Sequence, residues 1–210
     1  LWLDKNMHYS SALFIDPDDQ HEELEQAQRR KVDAILDRLD LHDGASFLEI
    51  GCGWGGLAEQ AMEHSAIAYS GLTLSTEQAD YARDRLGSGA QILLTDYRDA
   101  QGQYDAIASV EMVEAVGERY WPDYVAAVHR LLKPGGVVAV TVPAIMALWS
   151  EWDVALHHHR RYTRPQLRAL FPAADWVVDY VNYTNVPVFP VVWLIRKWRH
   201  LLRLPDGLDD

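Results

Sequence analysis

The chain has 210 residues, enough for one α/β domain with a substantial hydrophobic core. Its net charge of −12, from 19 basic and 31 acidic side chains, argues against a general affinity for nucleic acid. Cys52 is the single cysteine, which excludes an internal disulfide and favours a reducing compartment such as the cytoplasm.

Strand-like and helix-like patterns alternate along the chain. Helices are predicted over 20–40, 56–64, 75–86, 122–132 and 164–172, and Ser75 with Gln78 forms a capping pattern at the start of the third-listed one. Strands are predicted over 45–51, 66–74, 90–96, 104–112, 136–143 and 175–183, with "KPGG" at 133–136 as a turn. Because the chain begins with Leu1 and has neither a leader-like segment nor a run of 18 apolar residues, we expect a fragment or trimmed sequence without a signal peptide or spanning helix.

Alternating strands and helices with short connections predict a doubly wound, mostly parallel sheet, whose last strand is missing from the pattern. A ligand crevice is then expected at the carboxyl ends of the strands. We expect one domain over 1–210, made of an N-terminal helical cap (1–45), a cofactor-binding core (46–142) and a substrate-side segment (143–210).

The stretch "FLEIGCGWGGLAEQA" places four glycines in six residues between a strand and a helix. Glycines there let a backbone approach a ligand closely, and the following helix offers unpaired N–H groups. The pattern alone fits dinucleotide binding, nucleoside binding or a tight turn without a ligand. The acidic residue Glu49, two positions before the first glycine, and "LKPGG" before the fifth strand resemble features of class I methyltransferases, which bind S-adenosylmethionine.

Five motifs extend this resemblance: "LWLDKNMHYSSALF", "LEIGCGWGG", "GLTLSTEQ", "LTDYRD" and "EMVEAVGERYW". Over residues 1–142 the chain resembles the cyclopropane-fatty-acyl-phospholipid synthase family, which includes the mycolic acid methyltransferases. The resemblance implies a Rossmann-like class I fold, with S-adenosylmethionine as cofactor and S-adenosylhomocysteine as product. It implies cofactor contacts from Tyr9, Ser10, Glu49, Gly51, Gly53, Trp54, Thr73, Leu74, Gln78, Asp96, Tyr97, Arg98 and Val110.

The end of the second strand supports this reading. Many nucleotide sites carry a carboxylate there that binds the ribose, whereas this strand ends in Gly71-Leu72-Thr73. The family uses Thr73 and Gln78 instead, so the missing acid argues against NAD.

The resemblance also implies the chemistry, in which a methyl group is transferred to an alkene and a bicarbonate ion then takes a proton. In the family a Cys, a Glu, a His after strand five and a distant Tyr hold this ion. Here Glu114 matches the Glu and Ser11 replaces the Cys, while the histidine has no counterpart in 140–142 and the Tyr is unassigned. Glu114 and Ser11 are therefore the predicted catalytic residues, although Glu114 also fits a solvated helix residue. The incomplete set predicts weak or absent cyclopropane formation.

Beyond residue 142 the stretch "ALWSEWDVALHHHRRYTRPQLRALF" resembles another branch of class I methyltransferases, of types 11 and 12, with poorly defined substrates. His157, His158 and His159 are not expected to bind a metal, because adjacent helical side chains point in different directions. One of them could act as a base or orient the acceptor, and the alternative is a polar loop with Arg160 and Arg161 on its surface. The basic, apolar segment 186–204 fits an interfacial helix on an anionic membrane or a helix packed on the sheet.

These features predict a methyltransferase of class EC 2.1.1 acting on an unsaturated lipid acyl chain. Methylation of another small molecule and a cofactor-binding scaffold without turnover are the alternatives. A lipid or small-molecule acceptor and a cytoplasmic, membrane-associated location are expected.

Overall fold

A computed structural model describes residues 7–8, 10–15, 22–156, 158–186 and 189–202. The chain divides into two compact units, the first formed by Leu1–Met112 with Asp123–Thr141 and the second by Val113–Pro122 with Val142–Asp210. The last boundary lies next to the predicted start of the substrate-side segment. That the whole chain acts as one domain stays a prediction.

The first unit contains a five-stranded parallel sheet in the order β3-β2-β1-β4-β5. Its strands are β1 (Ser46–Ile50), β2 (Ala68–Thr73), β3 (Ala90–Leu94), β4 (Tyr104–Val110) and β5 (Leu132–Thr141). The chain reverses its direction of strand addition between β1 and β4, which creates a switch point at the carboxyl ends of these two strands. The predicted parallel α/β fold is thus confirmed.

Four helices accompany the sheet: α1 (Leu24–Leu36), α2 (Gly56–His64), α3 (Thr76–Leu86) and α4 (Trp121–Leu131). The predicted cap of α3 is present, because the Ser75 side chain accepts a hydrogen bond of 3.2 Å from the Gln78 N–H. Apolar residues of α1 to α3 form one core with the central strands, with Val32, Leu36, Phe47, Leu57, Ala61, Ala79, Ala82, Ala106 and Ala108 among its members.

The "KPGG" segment is not the predicted turn, because β5 already begins at Leu132. Pairing with β4 shifts register here, from Tyr104 opposite Leu132 to Ala106 opposite Val137. Gly135 has a φ of +79°. A Cβ on Gly136 would lie 2.7 Å from the Asp105 carbonyl oxygen. The glycines therefore let the strand bulge while it stays paired.

The second unit contains α5 (Glu151–Ala155), α6 (Arg164–Ala169) and α7 (Phe189–Leu202). The predicted strand over 175–183 is wrong, because residues 176–183 form no regular element. Its β-branched and aromatic pattern finds no partner strand in the described part of the chain, and Val177 is 87% exposed. Within the described ranges, no helix is long and apolar enough to cross a membrane.

Candidate functional site

The loop from β1 to α2 holds three glycines in the left-handed region of backbone space. The φ angles are +84° at Gly51, +51° at Gly53 and +81° at Gly55. Residues with a Cβ rarely adopt this conformation. A Cβ on Gly51 would also lie only 3.1 Å from Cγ of Met112. The backbone conformation of this loop and the close approach of Met112 therefore explain why glycine occurs here.

Hydrogen bonds fix this loop to the end of the neighbouring strand. The N–H groups of Gly51 and Cys52 both donate to the Leu72 carbonyl oxygen, each at 2.9 Å. A Cβ on Gly71 would lie 2.8 Å from Cβ of Cys52, so β2 and the loop approach closely. The loop is therefore held at the carboxyl edge of the sheet.

A pocket opens beside the loop within the first unit. It is lined by Met7, His8, Ser10, Lys31, Val32, Glu49, Gly51, Cys52, Gly53, Trp54, Gly56, Leu57 and Val110. Six predicted cofactor residues are among them, namely Ser10, Glu49, Gly51, Gly53, Trp54 and Val110. The sequence analysis assigned Tyr9 and Ser10 of the N-terminal motif to the cofactor but missed the neighbouring His8, and it missed Lys31 because no local motif connects α1 to the glycine loop.

Glu49 is a buried carboxyl of this pocket, only 3% exposed. Burial raises its pKa from 4.5 to about 7, although a hydrogen bond from Tyr69 and the charge of Lys31 oppose the shift. The Tyr69 hydroxyl donates to Oε2 of Glu49 at 2.6 Å. The pKa of this carboxyl therefore lies well above its usual value, and a cation entering the pocket would favour its ionised form.

The N-terminal segment brings basic groups to the same pocket. Burial lowers the pKa of His8 to about 4, with further lowering by the charges of Lys31 and Arg85, so its imidazole is neutral at pH 7. The Lys31 ammonium donates to the Ser10 hydroxyl. Gln28 Nε2 donates to the Ser10 carbonyl oxygen at 2.7 Å. These bonds hold the segment on α1 and keep a lysine cation in the lining.

Ser11, a predicted catalytic residue, is bonded to Glu111 at the end of β4. Its hydroxyl and its N–H donate to Oε1 of Glu111 at 2.9 and 3.2 Å. Glu111 has a φ of +48°, a strained conformation for a residue with a long side chain. The Glu111 N–H donates to the Thr141 carbonyl oxygen at 3.0 Å, which helps to hold that conformation. The catalytic role of Ser11 stays a prediction.

Thr73, Leu74, Gln78, Asp96, Tyr97 and Arg98 lie at or after the ends of β2 and β3 and are not part of the pocket lining. The Thr73 hydroxyl donates to Oε1 of Gln78 at 2.8 Å, and Leu74 is 73% exposed. Arg98 forms two side-chain bonds to Asp96, of 2.7 and 2.8 Å, which lower the pKa of that carboxyl.

Tyr97, between these two residues, packs edge-on against Tyr124 with ring centres 5.5 Å apart. Tyr9 lies outside the described residues. The cofactor roles of Tyr9, Thr73, Leu74, Gln78, Asp96, Tyr97 and Arg98 stay predictions.

The second unit contains a buried charged cluster around Glu114 and Asp153, which are 0% and 1% exposed. The reading of Glu114 as a solvated residue is therefore wrong. His158 Nδ1 lies 3.0 Å from Oδ1 of Asp153, and its Nε2 lies 3.7 Å from Oε1 of Glu114. Arg161 donates to both Asp153 oxygens at 2.9 and 3.0 Å. The side chains form a continuous chain from Glu114 to Arg161.

His158 and His159 follow α5 rather than lying on it. His157 is outside the described residues, and Asp153 pairs with His158. Burial would raise the pKa of Asp153, but the bonds from Arg161 and His158 outweigh it and hold that pKa below its usual value. Among the described residues, no group of His, Cys, Asp and Glu is suited to hold a metal ion.

Aromatic residues enclose the cluster. The Tyr162 hydroxyl donates to the Val113 carbonyl oxygen at 3.3 Å, and burial followed by the charge of Glu114 raises the Tyr162 pKa. The Arg160 guanidinium lies 5.2 Å from the Trp121 ring centre and pairs with Glu118. The "HHRRYT" stretch thus contacts Glu114 through His158 and the His159 N–H, and its Tyr162 is buried.

Comparisons with known proteins extend the resemblance past residue 142. The sequence profile of the mycolic acid cyclopropane synthetase family matches residues 1–189. A tuberculostearic acid methyltransferase of Mycobacterium tuberculosis is 37% identical over 99% of this chain and 52% of its own length. The cyclopropane-fatty-acyl-phospholipid synthase of Escherichia coli K12 is 43% identical over 64% of this chain and 35% of its own length.

A solved structure gives the fold independently. A mycolic acid cyclopropane synthase, crystallised with S-adenosylhomocysteine and CTAB, superposes with a TM-score of 0.75 at 24% identity, covering 86% of this chain and 70% of its own. The described chain thus has the class I methyltransferase fold. It spans only about a third to a half of the curated relatives.

The raised pKa of Glu49 predicts a pH-dependent stability. The folded chain binds the Glu49 proton more tightly than the unfolded chain, so this contribution is complete below pH 4.5 and is lost as pH rises to about 7. Between pH 5.5 and 7.5 the wild type should lose about 2 kcal/mol relative to Glu49→Gln. Urea unfolding of both proteins across this range measures the difference, and parallel pH profiles would contradict the assignment.

The buried position of Asp153 predicts a large cost when its charge is removed. Asp153→Asn should lower the free energy of unfolding by about 3 kcal/mol, because the Arg161 cation would stay buried without its carboxylate. Glu151→Gln is the matched control, since it makes the same change on an exposed residue of the same helix and should cost less than about 0.5 kcal/mol. Equal denaturation midpoints for the two variants would argue against the cluster.

Proposed function

The chain belongs to the mycolic acid cyclopropane synthetase family, and we propose that it transfers a methyl group from S-adenosylmethionine to a double bond of a lipid acyl chain. The observation that carries the proposal is the pocket where the left-handed glycine loop meets Glu49 and Lys31. The family match and the lipid-modifying relatives support the acceptor.

The pocket residues fit the amino-acid end of this cofactor. An amino acid carries an ammonium and a carboxylate, and the lining offers the Glu49 carboxyl and the Lys31 ammonium. The left-handed glycines leave room for a ligand against the backbone. When bound, S-adenosylmethionine supplies an electrophilic methyl group and leaves as a neutral thioether. Thr73, Gln78, Asp96 and Tyr97 are proposed for the nucleoside end.

Proton removal completes the proposed reaction. An alkene that gains a methyl group at one carbon becomes cationic at the other, and the charge is lost when a base takes a proton from the methyl group or from the chain. We assign this step to Glu114 with His158. His158 Nδ1 lies 3.0 Å from Oδ1 of Asp153, and its Nε2 lies 3.7 Å from Oε1 of Glu114, so the imidazole lies between the two carboxyls. The pair can take up and share one proton.

We propose that the base takes the proton from a chain carbon next to the cation, so that a methyl-branched alkene forms rather than a cyclopropane ring. Two features support this product. Residues 140–142 lack the family's histidine. The methyltransferase from Mycobacterium tuberculosis also matches almost the whole chain, whereas the cyclopropane synthase from Escherichia coli matches about two thirds of it. Ser11, which is bonded to Glu111, is proposed to order the N-terminal segment over the reacting groups.

A lipid acceptor resides in a membrane, so the proposal includes peripheral contact through residues 186–204 by a protein of the cytoplasm. Methylation of another small molecule and cofactor binding without turnover remain the competing hypotheses. Unlike the proposal, neither of them predicts that unsaturated phospholipid is methylated when it is mixed with the protein and the cofactor.

Cofactor binding tests the role of Lys31. Lys31→Met should weaken binding of S-adenosylhomocysteine about tenfold or more, because the cofactor's carboxylate loses its cation. Binding of methylthioadenosine, which lacks the amino acid, should not change. Lys133→Met is the control, because this lysine pairs with Asp105 outside the pocket lining. Calorimetry measures all three proteins, and equal losses for both ligands, or tight binding of NAD, would reject the assignment.

Product analysis tests the role of Glu114. With S-adenosylmethionine and unsaturated phosphatidylglycerol, the wild type should give methyl-branched acyl chains, identified by NMR and mass spectrometry of extracted lipid. Glu114→Gln should slow turnover by roughly a hundredfold or more, because the proton acceptor is weakened. Glu118→Gln changes an exposed acid of the same segment and should keep most of the activity.

Full-rate reaction of Glu114→Gln would show that this assignment is wrong. A requirement for added bicarbonate would instead assign the base to that ion. Cyclopropane as the main product would overturn the proposed open-chain outcome.

A further inference from the structure

Helix α7 carries an exposed apolar stripe that the cofactor pocket does not use. Five large side chains are spaced i, i+3, i+4, i+7 and i+11, so they share one face within an arc of about 100°. They are Val191, Leu194, Ile195, Trp198 and Leu202, each between 48% and 64% exposed. Scattered exposed apolar residues are ordinary, but a continuous row of this kind indicates a contact surface.

Basic residues border this stripe. Helical periodicity puts Lys197 and Arg199 at about 90° to 110° from the stripe, on opposite sides, and Arg196 on the far side. The helix sequence FPVVWLIRKWRHLL contains no Asp or Glu. The Lys197 ammonium lies 4.9 Å from the Trp193 ring centre. This cationic helix belongs to a chain whose net charge is −12, so its positive charge is a local feature.

The length of α7 decides how it could meet a bilayer. Its 14 residues extend for about 21 Å, whereas the hydrocarbon core of a bilayer is about 30 Å thick. A helix of this length with one apolar face and flanking cations lies in the plane of the interface, with the apolar side chains among the acyl chains and the cations at the phosphates.

We propose that the α7 stripe docks on an anionic lipid surface and inserts its apolar side chains. The proposal rests on the proposed function, because a lipid acceptor must be reached at such a surface. The charge of α7 favours lipid over a second copy of the chain as the partner. If two α7 stripes packed against each other, the cations of the two helices would come close together, and neither helix has an acidic residue to pair with them. Anionic phosphates complement these cations.

Flotation of the full chain with phospholipid vesicles tests the docking. The wild type should float with vesicles containing phosphatidylglycerol and much less with pure phosphatidylcholine. Leu194→Ser with Trp198→Ser should weaken binding to the anionic vesicles roughly tenfold or more. Val177→Ser with Tyr180→Ser makes comparable changes to exposed residues of the same unit outside α7 and should have little effect. Lys197→Gln with Arg199→Gln should remove the preference for anionic vesicles.

Three results would overturn the docking proposal. They are a wild type that does not float, an α7 variant that floats as well as the wild type, and self-association in sedimentation experiments that the α7 variant abolishes. Methyl transfer to a short-chain unsaturated lipid, kept below its micelle concentration, separates the two proposals. Turnover without flotation would reject the docking alone, and flotation without turnover on any lipid would reject the proposed function alone.

Discussion

The glycine loop after β1 is the constraint on which the proposed cofactor site depends. Two consecutive N–H groups, from Gly51 and Cys52, share the Leu72 carbonyl oxygen, and this shared acceptor holds the loop against β2. The left-handed backbone at Gly51, Gly53 and Gly55 then carries the chain from strand to helix within a few residues. A side chain at Gly51 would meet Met112, and side chains at all three positions would resist these φ angles, so the loop conformation depends on glycine.

Two buried carboxyls of this protein, Glu49 and Asp153, have pKa values shifted in opposite directions. Glu49 is bonded to the neutral Tyr69 hydroxyl, with Lys31 near enough to influence its charge, and its pKa rises to about 7. Asp153 is bonded twice by Arg161 and also by His158, and its pKa falls despite burial. A buried carboxyl with a matched cation is a fixed charge. A buried carboxyl without such a cation, like Glu49, becomes more strongly ionised when a cationic ligand binds beside it.

In the second unit, Glu114 is thus buried next to paired side chains and is not exposed to solvent. The fixed Asp153 charge orients His158, whose second nitrogen faces Glu114. Arg160 and Tyr162 close around the same residues through ring contacts and a backbone bond. Residues 153–162, which the family profile also covers, therefore contain groups that surround the predicted catalytic carboxylate.

The sequence by itself determined the parallel α/β fold, the capped start of α3, the glycine loop and the pocket role of Glu49, because these follow from patterns within a few residues. It failed where partners are distant along the chain. The apolar pattern of 175–183 predicts a strand, but a strand needs a neighbouring edge, and that segment has none in the described structure. Only the tertiary structure decided that His8 and Lys31 line the pocket and that Glu111 holds Ser11. It also decided that Asp153 pairs with His158 and that the α7 stripe is exposed, since burial and charge pairing depend on which residues folding brings together.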